Sequence, residues 1–201
     1  EKFTSNLPVT TGTTALAAVL GGPVAALIPV LTSTLANGRH QRRVEAAISE
    51  IDSRLSAIEN FNDSLTDPQF NLINNIVVTI LNTPDDQKIK HLKEAVYNTP
   101  LLEALNMHNA TVLARALDSI SNSELTFLIE CNGQKIVFND HQTDGFYNID
   151  RDSHDGECAN GLISLGLLVR SPAEGTMSDI GAYHFTELAN KVLKVVSTKI
   201  T

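Results

Sequence analysis

Residues Leu16 to Gly38 carry no charged side chain, and the five residues that follow read RHQRR. A run of that kind has to leave water, into either a protein core or a bilayer. A bilayer span takes about 20 apolar residues in one continuous helix. Here Gly21-Gly22-Pro23 interrupts the run near its centre and Pro29 sits inside its second half. Proline costs about 3 kcal/mol in a helix interior, although a first turn tolerates it. The expectation is therefore an apolar hairpin over 14–36, with short helices at 14–20 and 23–36, preceded by an irregular segment, 1–12. Burial in a helical bundle or an oligomer interface is the primary reading. The alternative is insertion into a membrane, with Gly21 and Gly22 as the hinge and Arg39, Arg42 and Arg43 as headgroup anchors.

The next segment, 39–61, has the cleanest periodicity in the chain. Val44, Ile48, Ile51, Leu55 and Ile58 fall at alternating spacings of four and three, with Arg, Glu, Ser and Asp on the other faces. That spacing makes an a/d seam of nearly three heptads. Two readings stay open: an amphipathic helix docked on its own chain, or a coiled-coil-like helix through which copies associate.

Three pairs, Asp67-Pro68, Thr83-Pro84 and Thr99-Pro100, recur at sixteen-residue intervals. Each joins an N-cap residue type to a proline suited to a first helical turn. They predict three successive helices. Phe70, Ile73, Val77, Ile80 and Leu81 form the inner face of the first, and Ile89, Leu92 and Val96 that of the second. A further helix is expected at about 110–119, and another over SELTFLIECN, capped by Ser121 or Ser123 and stopped at Asn132-Gly133. The final third then changes character. QKIVF reads as a strand, with a second at 146–149 after a polar loop; CANGLISLGLL reads as a helix, LLVRS and AYHFT as strands, and ELANKVLKVV as a closing helix. The expected fold is mainly α. A helical domain, 13–120, precedes a small winged-helix-like α+β domain, 121–201.

Helix, strand, helix, strand, turn-rich tip, strand, helix is the order of elements in a winged helix. Gly166, Leu167, Leu168, Val169, Tyr183, Phe185, Thr186 and Leu188 match the ending of many bacterial winged-helix modules, in which an apolar helix runs into a Gly-Leu-Val strand and a Thr opens the last helix. Ala189 and Asn190 stand where that motif usually has Gly. With its apolar start and helical middle, the chain resembles uncharacterised bacterial proteins in the style of the abortive-infection alpha family, which is proposed to take part in phage defence. The resemblance implies a non-enzymatic bacterial protein, and it supplies no catalytic residues.

The charges bear on what such a module could bind. The net charge is −8, the pI is near 5.1 and there is no Trp. This balance opposes broad attraction to nucleic acid or anionic lipid, and the scarcity of aromatics opposes base-stacking platforms. The expected recognition helix, about 157–168, holds Glu157 and no Lys or Arg, and the tip carries Glu174 and Asp179. Only Asn160 is of a type that reads base edges. A nucleic-acid ligand is not expected.

The densest set of candidate ligands is the loop with Asp140, His141, Asp144, Asp150, Asp152, His154, Asp155 and Glu157. Asp150, Asp152, His154 and Asp155 are its metal candidates, although no metal is expected. DRDSHDGE breaks the EF-hand register, and Cys131, His141, His154 and Cys158 match no zinc spacing. No nucleophile elbow or phosphate loop occurs. Two cysteines suit a reducing cytoplasm, and a secretory signal peptide is not expected.

The expected function is a non-enzymatic protein-interaction and oligomerisation protein, of the phage-defence or regulatory kind that the resemblance implies. No cofactor is expected, and a second copy or another protein is the expected partner. A membrane-perturbing effector using 14–36 is the alternative, and a DNA-binding regulator, disfavoured by charge, comes third.

Overall fold

In the computed structural model the described residues are 38–56, 65–132, 134–138, 145–170 and 182–197. They are mainly helical, with a small four-stranded sheet near the C-terminus. The chain divides into two compact units, Glu1–Thr66 and Asp67–Thr201.

In the first unit, helix α1 spans Gly38–Ser56. Val44, Ile48, Ile51 and Leu55 are all buried, while Arg42, Arg43, Ser49, Glu50 and Arg54 are exposed. The seam read from the sequence is therefore covered within a single chain, and each of its Ile or Leu side chains contributes roughly 2 kcal/mol by leaving water. Ile58, Gly21, Gly22 and the whole of 14–36 lie outside the described residues, as does the side chain of Arg39.

The second unit starts with α2 (Asp67–Asn82) and α3 (Asp86–Asn98). A 3-10 turn, Thr99–Leu101, leads to α4 (Met107–Ser119) and α5 (Asn122–Glu130). Strands β1 (Ile136–Phe138) and β2 (Tyr147–Ile149) follow, then α6 (His154–Ser164). β3 (Leu168–Arg170), β4 (Ala182–Phe185) and α7 (Glu187–Val196) close the unit. Helix α2 packs on α3 and α4, α3 and α4 both pack on α7, and α5 packs on α6. These contacts explain why no division falls at the 120/121 boundary that the sequence suggests. The closing helix completes the core of the preceding helices, so residues 67–120 and the C-terminal part share one interior.

The proline pairs behave differently from one another. Asp67-Pro68 does open α2. The cap of α3 is Asp85, one residue beyond Thr83-Pro84, and its carboxylate accepts from Gln87 N at 2.8 Å and Lys88 N at 3.1 Å. Thr99-Pro100 starts no α-helix: Thr99 donates its hydroxyl to Ala95 O at 2.6 Å and the chain leaves after a 3-10 turn. Helix α4 begins at Met107, earlier than 110, because Asn106 caps it by accepting from Asn109 N at 2.8 Å. Phe70, expected on the inner face of α2, is 38% exposed, whereas Ile73, Val77, Ile80 and Leu81 are buried.

The sheet order is β2-β1-β4-β3, with β1 and β2 parallel and the other pairs antiparallel. Helix α6 ends in a Schellman motif: Leu167 N donates to Leu162 O at 2.8 Å and Gly166 N to Ile163 O at 3.0 Å. Gly166 adopts φ +70°, a conformation that costs glycine little. Thr186 then joins this turn to α7. Its hydroxyl donates to Gly166 O at 2.8 Å while its oxygen caps Ala189 N at 3.2 Å.

Candidate functional site

Helix α6 begins at His154, with Ser153 as its cap accepting from Gly156 N at 3.1 Å, so part of the acidic loop is helix. The exposed positions of α6 are His154, Glu157, Asn160 and Ser164. None is Lys or Arg. Among the described cations nearby, Arg151 lies over the Phe138 ring at 5.7 Å and Lys191 pairs with Glu187 at 2.7 Å.

The metal candidates are dispersed among separate structural tasks. Asp150 accepts from Asp152 N at 3.0 Å in a tight turn. Asp155 accepts the Tyr147 hydroxyl at 3.2 Å. His154 faces Glu157 at 3.8 Å and Cys158 Sγ at 3.7 Å. Among the described residues, no three His, Cys, Asp or Glu side chains converge as metal ligands. His154 and Asp155 are adjacent on α6 and so point to different faces, and Asp150 and Asp152 lie in the turn before it, whereas a cation site needs its ligands to converge. Asp140, His141 and Asp144 lie outside the described residues.

Beneath this segment Cys131 is fully buried, and burial pushes its thiol up to about 12, with Asp155 and Glu130 adding to the shift against a hydrogen bond from Tyr147. Burial likewise raises Tyr147, to about 12, with Cys131 and Asp155 adding to it. The Tyr147 ring also meets Phe127 edge-on, with centroids 5.9 Å apart. Cys158 is raised as well, first by burial and then by Glu124, Asp155 and Glu157. Cys158 with His154 is the nearest approach to a nucleophile and base here, but its thiol is held in the protonated, weakly nucleophilic form.

Among the described residues a concavity lies between α2 and α4. It is a trough of about 510 Å³ lined by Asn71, Asn75, Val78, Thr79, Asn82, Thr111, Ala114, Arg115 and Asp118. Most of these side chains are exposed, so the trough is open along its length. The Thr79 hydroxyl donates to Asp118 Oδ1 at 3.0 Å and ties the two helices together at one end. Behind Asp118, the nearly buried Lys88 donates from Nζ to Asp118 O at 2.7 Å. A cation there complements the C-terminal dipole of α4. Burial lowers the Lys88 ammonium from its ordinary value, and the carboxylates of Asp118, Glu124 and Asp85 oppose that shift.

Sequence reasoning missed this trough. A signal was present: after Asp67, α2 has no charged residue through Asn82, and its outer face carries Asn71, Asn75 and Asn82. An ordinary solvated helix face takes Lys and Glu, which favour helix more than Asn does.

The other candidates fare unevenly. Arg42 and Arg43 are exposed on α1, on the side away from the seam. Among the described residues no helix is long and apolar enough to cross a membrane. No protein-family model, curated protein or solved structure matches the chain.

Proposed function

We propose that the chain is a non-enzymatic protein-interaction protein, of the bacterial phage-defence or regulatory kind that its resemblance to the abortive-infection alpha family implies. The observation that carries this reading is the open α2–α4 trough. It offers hydrogen-bond donors and acceptors side by side, without a paired nucleophile and base. Raised thiols at Cys131 and Cys158 support the non-enzymatic part.

The C-terminal part is read as winged-helix-like. Strand order β1-β4-β3, with α6 leading into the β3–β4 pair, supports that reading. Its position for a recognition helix presents Glu157 and no cation, which favours packing or protein contact over DNA. Self-association through the α1 seam belongs to the same proposal, in tension with the burial of that seam in one chain.

Two measurements on the intact chain test the reading. Electrophoretic mobility shift with a duplex is expected to give no complex at micromolar protein. Submicromolar duplex binding at about 150 mM salt, weakening steeply as salt rises, would overturn it. Sedimentation velocity at micromolar concentration decides the oligomer: a monomer restricts the partner to another protein.

A further inference from the structure

We infer that the α2–α4 trough holds an extended polypeptide segment of about five residues, carrying a carboxylate side chain at Arg115 and an apolar one over Val78. This inference rests on the protein-interaction reading and names where and what the chain binds.

The first argument is spacing. Asn71 and Asn75 are four residues apart, about 6 Å along a helix axis, and Asn82 lies about 10 Å further on. Thr111 and Arg115 repeat the four-residue step on the facing helix. An extended chain advances about 3.3 Å per residue, so it presents like groups about every 6.6 Å. The first step, about 6 Å, matches two residues of such a chain; the second, about 10 Å, matches three, so Asn82 meets the opposite edge of the chain.

The second argument is hydrogen-bond balance. Asn75 Nδ2 is spent on Asn71 O at 2.8 Å and Asn71 Oδ1 at 3.1 Å, and Asn82 Nδ2 on Val78 O at 3.0 Å. That leaves the Oδ1 atoms of Asn75 and Asn82 as acceptors, with Asn71 Nδ2, the second N–H of Asn82 Nδ2 and the Arg115 guanidinium as donors. A polypeptide main chain alternates donors and acceptors in just this way. Nucleic acid would bring a row of phosphates, and the trough has one exposed cation to meet them. Small-molecule sites enclose most of their ligand, which a trough open along its length does not.

The third argument is charge and shape. Arg115 makes no ion pair among the described residues, while Asp118 is engaged by Thr79 and backed by Lys88. An incoming carboxylate therefore meets an available guanidinium. Val78, 42% exposed, and Ala114 form an apolar patch between the polar groups, which suits one apolar side chain.

The test uses the intact chain labelled with ¹⁵N and two pools of capped hexapeptides. The pools share random Ala, Val, Ser and Thr positions and differ only in a fixed central Glu or Lys. The Glu pool is expected to shift the side-chain amide resonances of Asn71, Asn75 and Asn82. It should do so at about five-fold lower concentration than the Lys pool, as one exposed ion pair allows. R115E should reverse that preference and R115Q should abolish it, both at unchanged helical content because Arg115 is exposed.

The inference is overturned if neither pool moves these amides at millimolar concentration, or if R115E leaves the preference as it was. It is also overturned if a twelve-nucleotide oligothymidine moves them more than either pool. Shifts confined to the exposed face of α6 sink the trough alone and leave the protein-interaction reading standing.

Discussion

Two glycines of α6 should answer differently to the same added methyl group. A Cβ built on Gly156 falls 2.5 Å from the Asp150 carbonyl oxygen and 2.8 Å from the Arg151 carbonyl carbon, and closer still to the Arg151 oxygen. Those atoms belong to the turn that delivers Ser153 to its cap position, so they can yield only if the backbone moves. Overpacking of that kind costs about 1–3 kcal/mol. Replacing Gly by Ala inside a helix returns close to 1 kcal/mol.

Because backbone atoms cannot swing aside, the upper end of the overpacking range applies, and G156A should lose about 2 kcal/mol, a fall in Tm on the order of 4–8 °C for a chain of this size. A Cβ on Gly161 instead meets the end of the Glu124 side chain. That side chain can swing away, but it then abandons the capping box, in which its carboxylate accepts from Ser121 N at 2.6 Å. A lost cap costs about 1 kcal/mol and the helix propensity gained offsets it, so G161A should lie within about 1 kcal/mol of the parent. Thermal unfolding followed by circular dichroism at 222 nm measures both. Equal stability of the two variants would refute the reasoning, because it would mean that the Asp150–Ser153 turn does not press on the start of α6.

Four further outcomes can be checked. T186A removes both the cap of α7 and the bond to Gly166 O, and should cost about 1–2 kcal/mol in chemical denaturation; T186S should recover most of it. Cys131 has a folded pKa of about 12 against an ordinary 9.0. The stability that its protonated thiol contributes is complete below pH 9 and is lost as pH rises toward 12. C131A should flatten a pH–stability profile between about pH 9 and 10, below the range where Tyr147, raised from 10.0 to about 12, also contributes, and an unchanged profile there would place the titration elsewhere. I51D puts a charge into the buried α1 seam and should destabilise the chain at every protein concentration, as read by unfolding midpoints; retained helicity with loss of self-association would instead make the seam intermolecular. The intact chain should not float with liposomes, and removal of residues 1–38 should lower its stability; dye release that depends on 1–38 would establish the membrane alternative.

Local signals were enough to read most of the helices and strands. Period-3.6 burial marked the core faces of α2, α3 and α7, because helix geometry alone puts Ile73, Val77 and Ile80 on one side. Thr186 matches through the winged-helix resemblance and does cap α7, but Gly166 reads as part of the helix CANGLISLGLL, which in fact ends at Ser164, after which Gly166 turns the chain at positive φ. The cation-poor face of α6 also followed from composition. Which of several adjacent capping residues would be used was not legible: Asp85 and Asn106 prevailed over Thr83 and over a later start for α4 through side-chain geometry that the sequence does not encode locally.

Tertiary structure alone decided the rest. Residues 67–120 share a core with the last helix because α3 and α4 bury their faces against α7, a contact between segments nearly a hundred residues apart, as the bond from Asn98 Nδ2 to Val195 O at 2.8 Å shows. In the described part of the acidic loop, Asp150 turns back to accept from Asp152 N while Asp155, on α6, accepts from Tyr147, a separation that only the folded chain decides. The α2–α4 trough exists because two helices distant in sequence lie side by side, joined by Thr79 and Asp118. Periodicity tells which face of each helix avoids water; only packing tells which two polar faces become neighbours and leave a space between them.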